Sequence, residues 1–368
     1  MLGIVWLATY NMKKYIFWMC FWIISGVQVA QAQTGQFFSA YDSRLNYMGR
    51  ADYSDTAGPK FWASGASLSF EYEGTEAEVV IGDEVIYGSV HNYIEVQIDD
   101  QPSYRLQLTQ AENRIKLVAG LKGKKHRVSL VKNTEFENGY IQFKGVYCKQ
   151  LLTAPKNHKR KIEFIGDSIT CGFGADEQHL SCKDPKSEWY DQHSAYYAYG
   201  PRTARALKAQ YHLSAVSGIG LLKSCCEKPI IMPQVYDKVN MAQNKMAWDF
   251  NLFQPDVLTI CLGQNDGIQD SAQFVSAYIT FIQTLKTYYP SAKIMLLTSP
   301  MADSALKEFQ MKALKATVQQ MHKLGFSDLA YYAFKLRAIS GCSSHPSKAE
   351  HALIAAELQA SLKRFMNW

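Results

Sequence analysis

Four short segments hold residue types suited to ester chemistry, in one order along the chain: Gly166-Asp167-Ser168, Ser217-Gly218, Gly263-Gln264-Asn265-Asp266 and Ser344-His345-Pro346. A serine hydroxyl attacks a carbonyl carbon once a base within hydrogen-bond reach accepts its proton, and a histidine on a neighbouring loop can be that base. The tetrahedral intermediate then needs donors aimed at its oxyanion. The backbone N–H groups of Ser168 and Gly218 and the side-chain amide of Asn265 are the candidates. Glycine at 218 lets the backbone come close to a substrate. Asp167 is read as ordering the Ser168 loop rather than moving protons. Each segment alone has a plainer reading, as a helix cap at 167–168 or as turns at 218–220 and 265–267. Their joint occurrence at strand ends is what favours chemistry.

The elements that must position them follow from the hydrophobic pattern. The apolar run Ile162 to Ile165 stops at Gly166, which reads as a buried parallel strand leaving a sheet. His212 to Val216, Asp256 to Leu262, Lys293 to Thr298 and Asp328 to Ala333 read as further strands. Helical spacing occupies Tyr196 to Gln210, Ala272 to Tyr289, Ala305 to Leu324 and Lys348 to Phe365. Alternating strands and helices predict an α/β fold, a parallel sheet between two helical layers, over residues 156–368. Ligands of such folds sit at the carboxyl edge of the sheet, where three of the four segments lie. Residues 33–155 differ. Ser67 to Tyr72, Tyr93 to Ile98, Tyr104 to Leu108 and His126 to Val131 alternate polar and apolar residues between turn sequences, which predicts an antiparallel β-sandwich. Ala154 to Lys161 reads as the linker.

Met12-Lys13-Lys14, the bulky apolar run Tyr15 to Ile24 and the small residues of Ala30-Gln31-Ala32 have the form of a secretory signal over residues 1–32, cleaved before Gln33. The apolar run is short for a membrane span, so an exported protein, periplasmic or extracellular, is expected with no span after cleavage. The net charge of +6 is modest, and the basic clusters at 122–127 and 156–161 lack interleaved aromatic residues. They read as solvated loops, and no nucleic-acid partner is expected. Of eight cysteines, Cys20 leaves with the signal. Cys171 and Cys261 sit in apolar contexts, and Cys182 and the pair Cys225-Cys226 lie in polar loops. One disulfide between Cys182 and a member of that pair is the expectation. The spacing of the cysteines does not indicate zinc.

The segments Ile162 to Thr170, Ser217 to Gly220, Gly263 to Asp266 and His345-Pro346 resemble the SGNH, or GDSL-like, hydrolases. With Met232-Pro233, Trp248 to Phe250, Gln254 to Asp256 and the preceding β domain, the chain looks like carbohydrate esterase family two. The resemblance implies a jelly-roll-like sandwich followed by an SGNH domain. It also implies removal of O-acetyl groups from plant cell-wall polysaccharides such as acetylxylan or acetylated glucomannan, without metal or organic cofactor. Ser168 would be the nucleophile and His345 the base. One position departs from the superfamily. The aspartate usual two or three residues before the histidine is replaced by Ser343 and Cys342. The acid normally fixes the imidazole tautomer. A backbone carbonyl of the histidine loop can take over that acceptor role, as in family members that run on a Ser–His pair. A binding protein without turnover and an acyltransferase are the rival readings. Trp189, in the polar loop 176–193, is the candidate substrate wall. Tyr196, Tyr197, Tyr199 and Trp248 read as packing residues.

Overall fold

The computed structural model describes residues 35–118, 124–178 and 180–368. The signal segment expected at 1–32 lies outside them. In chain order the β half contains β1 (Gln36–Ser39), β2 (Asn46–Met48), β3 (Lys60–Phe61), β4 (Ser67–Asp83), β5 (Tyr93–Ile98), β6 (Tyr104–Gln107), β7 (Glu112–Val118), β8 (Lys125–Lys132) and β9 (Ile141–Leu151). All pair antiparallel, as the alternation predicts, and they are linked into one continuous hydrogen-bonded network. The cause is β4, which is 17 residues long. It pairs with β8 over Ser67 to Glu73 and with β7 over Glu76 to Gly82, and its register with β9 shifts between Glu73 and Ala77. Its inward side chains Leu68, Phe70, Tyr72, Val79 and Ile81 join Phe61, Val96, Leu130 and Phe143 in one apolar cluster.

The α/β half begins with β10 (Arg160–Gly166), α1 (Ser168–Cys171), α2 (Tyr199–Ala206) and β11 (Ala209–Ala215). After α3 (Met232–Val235) a small hairpin follows, β12 (Lys238–Asn240) with β13 (Lys245–Ala247). The remaining elements are β14 (Val257–Cys261), α4 (Ser271–Tyr288), β15 (Lys293–Leu297), α5 (Ser304–Lys323), β16 (Leu329–Tyr332) and α6 (Lys348–Met366). The five long-range strands run parallel in the order β11-β10-β14-β15-β16. Ile162 and Phe164 pack on one face with residues of α2 and α6, and Ile165, Leu258 and Ile260 pack on the other with residues of α4 and α5. This is the three-layer arrangement the pattern predicts, and it explains the near-unbroken apolar runs of β10 and β14. The helix expected over Tyr196 to Gln210 is shorter. Its last two residues already belong to β11, where Arg160 to Gly166 pair with Ala209 to Ala215, so tertiary pairing overrides helical spacing there.

The strand order places β10 between β11 and β14, so the chain departs to opposite sides of the sheet at the end of β10. Ligands collect at such a switch point. Ser168 lies two residues beyond the end of β10.

The two halves share buried contacts. Arg50 of the β half is fully buried, its guanidinium 2.9 Å from Glu163 of β10 and also bonded to the carbonyls of Tyr236 and Lys238. Removing either member of such a pair would leave an uncompensated buried charge between the two halves. Trp62, Ala63 and Phe136 enter the core on the α4 and α5 side of the sheet.

Candidate active site

Gly166, Asp167 and Ser168 make the turn out of β10. Asp167 caps α1, its Oδ1 accepting from Ile169 N at 3.0 Å. Any side chain at 166 would run into Thr170, which is why the strand can end only on glycine. Ser168 is 7% exposed, so one edge of it meets solvent. Its Oγ lies 2.8 Å from His345 Nε2. The other ring nitrogen, Nδ1, lies 3.0 Å from the carbonyl oxygen of Ser343. Nδ1 therefore donates to that carbonyl, which leaves Nε2 unprotonated and able to accept the Ser168 proton. The acceptor that the sequence lacks as a carboxylate is a main-chain oxygen here.

The histidine is presented by a tight turn. Ser343 and Ser344 both adopt left-handed backbone, with φ of 53° and 57°. Gly341 N donates to His345 O at 2.7 Å, and Cys342 N donates to Gly174 O at 3.0 Å. Beyond Pro346, Ser347 and Glu350 form a capping box that starts α6. Glu350 also accepts from Ile339 N and Ser340 N. The ring is thus fixed from both sides. Burial holds the His345 pKa below its ordinary value, partly countered by the Ser343 bond and the charge of Glu135. The imidazole is neutral at pH 7, as a base must be.

A disulfide joins Cys342 to Cys182, with Cα atoms 5.8 Å apart. This corrects the expectation that Cys182 pairs with Cys225 or Cys226, both of which are free. Cys182 and Cys342 are 160 residues apart in sequence, and no local pattern connects them. Cys171 and Cys261 are buried and free, as expected. Among the described residues one trio of potential metal-ligand atoms clusters, Glu177, Cys182 and Cys342. The disulfide removes both of its thiolates.

Asn265 links the segments that carry the other two oxyanion candidates, Ser168 and Gly218. Gly218 has φ of 76°, a left-handed backbone that favours glycine, and an added Cβ would lie 3.1 Å from Cys225 Sγ and crowd it. Asn265 sits beside Asp167, but its Nδ2 already has two protein acceptors, Asp167 Oδ2 at 3.2 Å and Ile219 O at 2.9 Å. To serve an oxyanion, this amide must share its longer bond. Asp167 is fully buried. Desolvation, helped by the charges of Asp266 and Glu135, pushes its pKa up to about 7. Asp266 accepts from the backbone N–H groups of Leu221, Leu222 and Lys223, and so fixes the loop that follows Gly218.

Trp189 is 47% exposed and stands edge-on to His193, ring centroids 5.2 Å apart. His193 packs on Phe173 at 4.2 Å, and Phe173 on His345 at 4.5 Å. The exposed indole therefore lies along the same aromatic row as His345. Tyr196, Tyr199 and Trp248 are buried, in agreement with packing roles. His351, also buried, accepts from Tyr199 N at 3.2 Å.

Sequence reasoning missed two residues here, Glu135 and His193. Glu135 is buried at the site although it belongs to the β half, with Oε2 3.1 Å from Ser217 N and Oε1 3.1 Å from His193 Nε2. Asn133-Thr-Glu-Phe-Glu-Asn-Gly139 reads as a polar turn, and nothing local distinguishes a carboxylate that will be buried.

A parallel-sheet domain with a Ser–His pair at its switch point is the arrangement of a serine hydrolase. Residues 164–349 match the family model described as GDSL-like Lipase/Acylhydrolase family, and residues 47–155 match Carbohydrate esterase 2 N-terminal. The chain is 30% identical over 340 residues to an acetylxylan esterase / glucomannan deacetylase of Cellvibrio japonicus, covering 90% of this chain and 91% of that one. It is 33% identical over 338 residues to the cellulase/esterase CelE of Acetivibrio thermocellus, covering 88% of this chain but only 39% of that longer protein. A solved family two carbohydrate esterase from Clostridium thermocellum, in complex with cellohexaose, superposes with a TM-score of 0.79 at 32% identity, over 88% of this chain and 99% of that one. The chain belongs to carbohydrate esterase family two. No helix among the described residues is long and apolar enough to cross a membrane.

Proposed function

We propose that the protein is an exported O-acetyl esterase acting on acetylated plant polysaccharides or their oligosaccharides. The observation that carries this is the hydrogen-bonded series from Ser168 Oγ through His345 Nε2 and Nδ1 to Ser343 O, at 2.8 and 3.0 Å. Ser168 Oγ attacks the acetyl carbonyl while Nε2 takes its proton. The imidazolium is held by its bond to the Ser343 carbonyl. The N–H groups of Ser168 and Gly218, with the shared amide of Asn265, receive the oxyanion. The sugar hydroxyl then leaves with the proton from Nε2, giving an acetyl-enzyme. Water, activated by the same nitrogen, releases acetate and restores Ser168. Asp167 orders the nucleophile turn and Trp189 forms a wall for the sugar. No cofactor enters these steps.

The substrate class rests on the acetylxylan and glucomannan named for the Cellvibrio relative, and export on the signal-like segment at 1–32. Acetate released from acetylated xylan, acetylated glucomannan and monosaccharide acetates tests the reading. Release from at least one polysaccharide is expected. No release from any of them overturns it.

A further inference from the structure

Glu135 lies in the turn between β8 and β9, yet its carboxylate sits inside the site formed by the α/β half. Each oxygen faces a different part of that site. Oε2 takes the N–H of Ser217, the residue before Gly218, at 3.1 Å. Oε1 lies 3.1 Å from Nε2 of His193, a ring that packs on Phe173, which in turn packs on His345. The turn itself is held by Lys132, whose buried ammonium donates to the carbonyls of Thr134 and Glu135 at 2.8 and 3.0 Å. The adjacent Asn133 accepts from Ala195 N and Tyr196 N at 3.2 and 3.0 Å.

Burying a carboxylate costs several kcal/mol before its partners are counted, and a well-packed apolar residue usually stabilises as well or better. The arrangement makes sense where two separate groups must be held at once. We propose that Glu135 is a positioning residue for ester hydrolysis: one carboxylate from the β domain sets the Ser217–Gly218 peptide that faces the oxyanion and, through His193 and Phe173, braces the ring of His345. The β domain on this account is part of the catalytic apparatus and not only its support. The inference rests on the reading of Ser168 and His345 as nucleophile and base.

Burial opposes ionisation of Glu135, but its contacts with His193 and Ser217 outweigh it and hold the carboxyl below its ordinary value. It is therefore charged at neutral pH. The charged or titratable groups around it are His193, His345, Lys132, Asp167, Glu137 and Cys171. Its charge favours protonation of His345. Removing that charge should lower the His345 pKa and move the acid limb of kcat/KM to lower pH.

The test compares wild type, Ser168→Ala, Glu135→Gln, Glu135→Ala and His193→Gln on p-nitrophenyl acetate. Rates of Ser168→Ala are expressed per mole of folded protein and those of the other enzymes per site titrated with a fluorophosphonate, and Tm is measured alongside. Loss of an oxyanion donor outright lowers kcat by about 10²–10³. Glu135→Gln, which keeps an acceptor for Ser217 but not the charge, should lose about tenfold in kcat with KM within about twofold, and its acid limb should move down. Glu135→Ala should lose more, and His193→Gln should fall with Glu135→Gln. A Ser168→Ala enzyme as active as wild type would instead remove the catalytic pair on which this builds. With that control inactive, a Glu135→Gln enzyme whose kcat per titrated site and acid limb match wild type overturns the role of Glu135. If Glu135→Ala does not fold, Glu135→Gln and His193→Gln still decide.

Discussion

Breaking the Cys182–Cys342 disulfide should weaken catalysis as well as stability, because the bond ends on the turn that presents His345. Cys342 directly precedes two residues in left-handed backbone, Ser343 and Ser344. For non-glycine residues this conformation costs roughly 1–2 kcal/mol each, so the turn stores about 2–4 kcal/mol that its surroundings must hold. The bonds next to it are Cys342 N on Gly174 O at 3.0 Å, Gly341 N on His345 O at 2.7 Å, His345 N on Cys342 O at 3.1 Å and the disulfide to Cys182, and of these the disulfide is the covalent one. With 160 residues between its ends, the disulfide stabilises the folded chain by about 5 kcal/mol on the loop-entropy model. Natural bridges lost from proteins cost about 2–5 kcal/mol. Cys182→Ser is the cleaner perturbation, since it leaves the histidine turn's own sequence intact. Its Tm should fall by about 5 °C or more. Once released, the turn can relax toward ordinary backbone, which turns the Ser343 carbonyl away from Nδ1. A kcat loss of about tenfold with KM nearly unchanged is expected well below the new Tm, and dithiothreitol should reproduce it in wild type. Initial rates on p-nitrophenyl acetate, beside calorimetry and a thiol count without reductant, make the assay. A Cys182→Ser enzyme with wild-type kcat and Tm would refute the reasoning.

Two further perturbations test separate parts of the account. Ser343→Ala should keep kcat within about threefold of wild type, because the acceptor for Nδ1 is the main-chain oxygen and not the hydroxyl; a loss beyond about thirtyfold would assign the role to the side chain. His351 is buried and neutral, with burial driving its pKa down to about 3. Its folded value lies below the unfolded one, so the unfolded chain binds the extra proton and stability falls as pH drops from 6.5 toward 3. The loss from this group is about 2 kcal/mol at pH 5. His351→Asn should start less stable but lose less Tm between pH 7 and pH 5 than wild type does, and an equal loss would contradict the assignment.

How much of this was legible in the sequence depends on the range of the interaction. Ser168, Gly218 and Asn265 end apolar strands, and a parallel sheet sends all such ends to one edge, so periodicity alone brings them together. His345 was legible because Ser344-His345-Pro346 directly precedes the helical spacing of Lys348 to Phe365. The long β4 was only half legible. Its alternation is clear over Ser67 to Tyr72, but its exchange of partners from β8 to β7 depends on distant strands. The Cys182–Cys342 bond, the buried Glu135 and the prior engagement of the Asn265 amide were not legible at all. Each joins segments far apart along the chain, and neither composition nor spacing near any of them records the other end.

The central claim is that Ser168 is the nucleophile and His345 its base, and reaction with a fluorophosphonate followed by mass spectrometry of the labelled peptide tests it most directly. One adduct is expected, on Ser168, formed in step with loss of acetate release and nearly abolished in His345→Ala. Labelling on another serine, or full acetate release from protein already labelled at Ser168, would contradict it.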